Sequence, residues 1–475
     1  MAEEFDFIVI GSGAGLIVAS RAYHEGRRVA LLEHGPMGGT CLNVGCIPSK
    51  ILIYPADVVR TLQDASRIGV HGSIDRIDFP LIMKRMRALV DGECQEIARS
   101  IRSEEGFTWF DQTGEFVADY TIRTGDKEIT APRILIASGA RALIPPLPGL
   151  KEAGYLDNVS VFHMQELPES LIILGGGYIA CEFGHFFSAM GTEVTVLGRS
   201  PLLLKSEDRE ISETALRAMS RYMNIHTSHE AVRVESSGGK KVVHAVDRST
   251  GQEKEFSAGE ILVATGRRSN ADLLRPEKTG VETDKKGWIR VNEYLETTKP
   301  GIWALGDAIG RHMFRHTANY EAGVVWKNAF TEEKVPVDFH AVPHAVFSHP
   351  PVAGVGMTEA EALAAGYDIY VGRATYADVA KGYAMGEEDT LAKAIVDAAT
   401  MKILGFHVIG SSSPDLVQQV VFLMNTDDQD YMPLARSQVI HPALSEVVVR
   451  AFGNLEHVHH HEPGHDDDDH GAGDR

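Results

Sequence analysis

The chain has 475 residues, 44% of them apolar, with 46 Lys and Arg against 66 Asp and Glu. That length allows about three domains with cores of their own, and the net charge of −20 argues against nucleic acid and against anionic membrane as partners. No run of about eighteen apolar residues is present to span a bilayer, and Met1-Ala2-Glu3-Glu4-Phe5-Asp6 lacks the basic-then-apolar order of a signal peptide, so a cytoplasmic location is expected.

Phe5 to Ile10 reads as a short apolar strand that enters Gly11-Ser12-Gly13-Ala14-Gly15-Leu16 and then a helical segment to Glu25. Gly11 and Gly13 allow the tight turn and close backbone approach that a pyrophosphate needs, with the helix N-terminus facing the anion. The usual third glycine is displaced, so Gly15 precedes Leu16 at that place. A second strand, Val29 to Leu32, ends in Glu33, which lies 22 residues after Gly11 and is placed to bind an adenosine ribose.

Next comes Gly38-Gly39-Thr40-Cys41-Leu42-Asn43-Val44-Gly45-Cys46-Ile47-Pro48-Ser49-Lys50. Two cysteines with four residues between them, just past a nucleotide turn, form a candidate redox dithiol; Cys94 and Cys181 add no second pair of the kind a zinc site needs. A structural disulfide across so short a step would do little for a chain this long. The apolar, helix-compatible stretch Ile51 to Leu62 follows, which puts Cys46 near a helix N-terminus that favours thiolate.

The nucleotide pattern then repeats. Leu171 to Leu174 leads into Gly175-Gly176-Gly177-Tyr178-Ile179-Ala180, a helix carrying Glu182 and a strand Val194 to Leu197. An NAD site would place a carboxylate after that strand; here Gly198 and Arg199 stand there, with Lys205 six residues further on. Two more apolar strands end in small residues at Gly139 and Gly266. Gly301 to Asp307 forms another strand-and-turn. His441 with Glu446 offers a histidine and a carboxylate of the kinds that an acid–base beside a thiol requires. Glu456 to Arg475 hold six histidines and seven acids, a composition that cannot bury a core and is expected to be a disordered tail; His459, His460, His461 and His465 could hold a transition metal, but a solvated tail is the preferred reading and no metal site is assigned.

The Gly38 to Lys50 segment resembles the redox-active disulfide segment of the class I pyridine nucleotide–disulfide oxidoreductases, and residues 5 to 455 carry motifs similar to that family's in order. The resemblance implies an α/β fold of two Rossmann-like dinucleotide-binding domains and an α+β dimerisation domain. FAD would occupy a discontinuous domain, 1–150 and 271–340, with an NAD(P) domain, 151–270, inserted and the dimerisation domain at 341–455. Gly11, Gly13, Gly15, Glu33, Thr40, Lys50, Gly139 and Asp307 would contact FAD, with Asp307 on the ribityl chain; Gly175, Gly177, Ala180, Glu182, Arg199, Lys205 and Gly266 would serve the nicotinamide cofactor. By family position Cys46 lies nearer the flavin and makes the charge-transfer contact, Cys41 exchanges with substrate, and His441 supplies the proton from the other subunit of a homodimer.

Within the family the cysteine segment is similar to lipoamide dehydrogenase. Arg199 and Lys205 resemble the NADPH-specific reductases, and stretches such as Arg268 to Leu274, Tyr376 to Ala380 and His441 to Leu444 resemble mycothione reductase. An NADPH-dependent reductase of a small disulfide is therefore expected, with NADH possible. NAD-dependent dihydrolipoamide dehydrogenase acting on a lipoyl group is the alternative, and a non-catalytic redox-sensing flavoprotein the alternative of another class. The absence of a C-terminal cysteine pair sets aside the relay-thiol members.

Overall fold

A computed structural model describes residues 2–458. The strand Phe7–Ile10 is buried at every position and lies at the centre of a five-stranded parallel sheet. Ile134–Ile136 and Ile302–Ala304 pair on one side of it, Val29–Leu32 and Phe107–Phe110 on the other. Strands this apolar on both faces need helices over each face, and Gly15–His24 and Arg315–Phe330 pack together over this sheet. The chain reverses strand order at the end of Phe7–Ile10, which is where an open parallel sheet leaves a ligand crevice.

A second parallel sheet, of four strands, repeats that plan. Ser170–Leu174 sits between Glu193–Leu197 and Glu260–Val263, with Asn224–His226 at the edge. The helix Tyr178–Met190 follows the glycine turn, and an antiparallel meander of His229–Ser237, Lys240–Asp247 and Glu253–Ala258 lies beside the sheet. The segments ending at Gly139 and Gly266 are the two passages between these units. Immediately after them Ala140–Ala142 and Arg267–Ser269 pair antiparallel, so the passages brace one another.

The third unit is a six-stranded antiparallel sheet whose last strand is Leu455–Val458, paired with Ile369–Ala374. This corrects one expectation: Glu456, His457 and Val458, assigned to the tail, complete an edge of this sheet. The rest of the histidine-rich tail, including His459, His460, His461 and His465, lies outside the described residues. No described helix is long and apolar enough to cross a membrane.

Candidate active site

The two glycine turns are built alike. Gly11 has φ +104° and Gly175 φ +133°, and a Cβ on either would come within 2.3 and 2.2 Å of the carbonyl oxygens of Ala137 and Ala264. Each turn is thus pressed against the passage strand, and only glycine fits. Gly13 and Gly177 face the opposite situation, with nothing within 4 Å of an added Cβ, which leaves room over the following helix N-terminus for a pyrophosphate. Gly15 is the close-packing glycine of the first fold, because a Cβ there would meet Val9 at 2.8 Å and Ala137 at 2.9 Å. Ala180, fully buried, holds the corresponding place near the start of the second helix.

Glu33 at the end of Val29–Leu32 accepts hydrogen bonds from Ser12 N (3.0 Å) and Ser12 Oγ (2.9 Å), while Gly38 N donates to Ser12 Oγ at 3.0 Å. This chain of bonds ties the first glycine turn to the dithiol segment, as does Gly39, where a Cβ would come within 2.7 Å of Gly13 Cα. Thr40 and Cys41 lie in the short helix Gly39–Val44. Gly45 breaks it, and Cys46 is the first residue of Cys46–Asp64, a start five residues before the helix-compatible stretch read from the sequence. Asn43 holds the loop by donating to the carbonyls of Pro36, Met37 and Gly39.

Both cysteines are free thiols, and their chemistry is divided. The hydrogen bond from Cys41 to Cys46 lowers the Cys46 pKa to about 7, against the opposing effect of burial and with help from the Lys50 charge. That same bond, with burial, drives the Cys41 pKa upward. One proton is therefore held on Cys41 and a thiolate favoured on Cys46, at a helix N-terminus where its charge is stabilised.

Lys50 is fixed by Glu182, at 2.8 and 3.0 Å from its two oxygens, and Glu182 also accepts Phe347 N at 3.1 Å. Glu182, expected to serve the nicotinamide cofactor, joins the second nucleotide unit to the dithiol helix and to the third unit through its carboxylate. Asp307, in the turn Gly306–Ala308, pairs with Arg267 Nε at 3.2 Å, and burial pushes its carboxyl upward while Arg267 pulls it down. Tyr178 was not singled out from the sequence, yet its hydroxyl is affected by Arg267, Asp307, Glu182 and Cys46 together, with burial raising its pKa. A tyrosine after a glycine turn carries no sequence signal for that position.

The cradle over Gly13, the carboxylates of Glu33 and Asp307, and the Cys46–Lys50 pair fit FAD. When bound, FAD supplies two-electron transfer between a reduced nicotinamide and the dithiol. A cavity of about 390 Å³ runs from Ser12, Gly13 and Gly38 to Cys41 and Arg315.

Three predicted site residues lie outside that cavity. Arg199 lies 3.7 Å from Glu230, which also meets Arg248 at 3.6 Å, and its side chain is 66% exposed; Lys205 is exposed. His441 Nδ1 lies 2.9 Å from Glu446 Oε1, and Glu446 is held by Ala443 N at 3.0 Å. The first of these bonds lowers the Glu446 pKa most. The imidazole is 70% exposed and does not line the Cys41 cavity.

Two dinucleotide turns converging on a poised dithiol define a flavin-dependent dithiol–disulfide oxidoreductase. The chain belongs to the pyridine nucleotide-disulphide oxidoreductase family, which it matches over residues 5–322, and its residues 342–452 match that family's dimerisation domain. It is 36% identical to mycothione reductase of Mycobacterium tuberculosis over 465 residues, covering 95% of this chain and all of that protein. Dihydrolipoyl dehydrogenase of Chlamydia pneumoniae is 32% identical over 454 residues, 94% and 96% of the two chains. Among solved structures, the HOCl-induced flavoprotein disulfide reductase RclA from Escherichia coli superposes with a TM-score of 0.84 at 29% identity, covering 94% of this chain and 99% of its own. The expected family, fold class and enzyme class are thus met, and a non-catalytic sensing subunit finds no support.

Proposed function

We propose that this enzyme is an NADPH-dependent reductase of the disulfide of a small thiol, working as a cytoplasmic homodimer. The observation that carries the reading is the end of Glu193–Leu197: Gly198 and Arg199 stand where an NAD site would have a ribose-binding acid, and Lys205 follows. A 2′-phosphate would exchange the exposed Glu230 contact of Arg199 for charge-assisted hydrogen bonds. The likeness to mycothione reductase over 95% of the chain supports a small-thiol substrate.

In this reading the reduced dithiol acts through its own residues. Cys41, deprotonated by His441 of a second copy, attacks one sulfur of the substrate; the S–S bond breaks, a mixed disulfide forms, and the leaving thiolate takes the proton back from His441. The Cys46 thiolate then attacks Cys41 sulfur, closing the Cys41–Cys46 disulfide and releasing the second thiolate, which is protonated by water. Glu446 holds the imidazole in the tautomer that accepts at Nε2. A second copy is invoked because His441 in one chain does not line the cavity at Cys41.

Steady-state kinetics with both nicotinamides test this. Charge-assisted hydrogen bonds contribute about 1.5–3 kcal/mol each, so kcat/KM for NADPH should exceed that for NADH by at least about tenfold. Replacing Arg199 and Lys205 together by Ala should remove most of that preference, chiefly through KM for NADPH. Faster turnover with NADH, or fastest turnover in oxidising dihydrolipoamide with NAD⁺, would restore the dihydrolipoamide dehydrogenase reading.

A further inference from the structure

The cavity that reaches Cys41 has apolar walls, formed by Leu16, Ile17, Leu42, Ile47 and Ile97, and no carboxylate lines it. Its one charged lining residue is Arg315. Arg315 is half-buried, and among the described residues its guanidinium has neither an ion pair nor a hydrogen bond to a side chain; the reactive group that feels its charge is Cys41, whose thiolate it favours. A half-buried cation without a counter-ion is unfavourable.

Its place in the fold adds to the conflict. Arg315 is the first residue of the sixteen-residue helix Arg315–Phe330, which begins without a side-chain cap. That is the end at which the helix dipole disfavours a cation and leaves backbone N–H groups unsatisfied. Such a local conflict, kept beside a reactive thiol, marks a functional site whose missing partner is an anion.

We propose that Arg315 anchors an anionic, carboxylate-class group of the substrate, so that the enzyme selects disulfides carrying such a group a few bonds from sulfur over neutral disulfides of the lipoyl-amide kind. The inference rests on the proposed reduction of a small disulfide and narrows its substrate class. The aliphatic walls take the chain between sulfur and anion, and Arg315 sets which sulfur meets Cys41. Arg315 is a specificity residue in this account; the exchange itself stays with the cysteines.

Dithiodipropionate and its neutral diamide are a matched pair for the test. With the holoenzyme, kcat/KM for the dianion should exceed that for the diamide by about tenfold or more, the effect of one charge-assisted contact. Arg315→Gln should lower that ratio about tenfold, chiefly through KM, and Arg315→Lys should keep most of it, with flavin content per chain retained in both as evidence of folding. A ratio unchanged by Arg315→Gln while turnover persists overturns the inference alone, and so does loss of bound flavin from that variant, which would assign the cation to the cofactor. Failure of the unaltered enzyme to reduce either disulfide with NADPH overturns the proposed function and this inference with it.

Discussion

Cys46 and Cys41 differ in where they stand more than in what they are. Cys46 opens a nineteen-residue helix within the field of Lys50, whereas Cys41 lies in a six-residue helix and gives its proton to the shared hydrogen bond. A lowered pKa means that the thiolate is the major form above it, so the long-wavelength absorbance of the two-electron-reduced enzyme should develop as pH rises through about 7. A pH titration of that band reads this directly; a band that does not change through that range would show that Cys46 does not carry the charge. Cys46→Ser should also abolish the long-wavelength absorbance of the two-electron-reduced enzyme while flavin stays bound. Retention of that band would remove Cys46 from beside the flavin.

Elements of different units are held together by buried charge. Lys393 on Leu391–Asp397 is 2% exposed and reaches Asp208 at 2.8 Å, Glu210 at 2.7 Å and Glu359 at 2.6 Å, from the start of Arg209–Met219 and the start of Glu359–Ala364. Removing one member of a buried ion pair strands the others, at a cost of about 3–5 kcal/mol. Lys393→Met should therefore lower the urea midpoint of the transition that separates the second nucleotide unit from the antiparallel sheet; an unchanged midpoint would show that the latch contributes nothing. The sign with pH follows from Glu210, whose pKa is brought to about 2, first by its bonds to Arg373 and then, against burial, by Lys393. A depressed carboxyl stabilises the fold above its ordinary 4.5, and that contribution is lost as pH falls from there toward about 2. The glycine turns show a different kind of element-level control: Gly11 and Gly175 were legible as turn residues, but which carbonyl each would strike depends on a passage strand more than 80 residues away.

At the scale of the whole molecule the acid–base pair decides what the active unit is. His441 and Glu446 are assembled and oriented within one chain, and neither lines the dithiol cavity. His441→Ala should cost about 10² to 10⁴ in disulfide turnover, the range of a positioned acid–base, and leave reduction of the enzyme by the nicotinamide largely intact. Mixing and re-associating His441→Ala and Cys41→Ser chains is the sharper measurement. If a second copy supplies the imidazole, hybrids contain one complete site and regain turnover that neither parent has. No recovery in hybrids of demonstrated composition would place the proton donor within a single chain.

The residues that sequence alone determined are those whose chemistry is local. A strand, glycines and a helix suffice to make each dinucleotide turn, because the geometry of a pyrophosphate cradle is set within about six residues; two cysteines at 41 and 46 suffice to mark a dithiol, because their spacing brings them together within a turn or two of helix. Cys46 as the thiolate was legible from its place before a helix-compatible stretch; only the tertiary structure showed that Glu182, from a distant part of the chain, fixes the Lys50 charge beside it. It likewise decided that Arg267 faces Asp307, that Tyr178 sits among both and Cys46, that Arg315 stands over Cys41, and that Glu456 to Val458 form a sheet edge. Each of these rests on contacts between segments far apart in the chain, and electrostatic and packing forces act across space without leaving a periodic mark in the sequence.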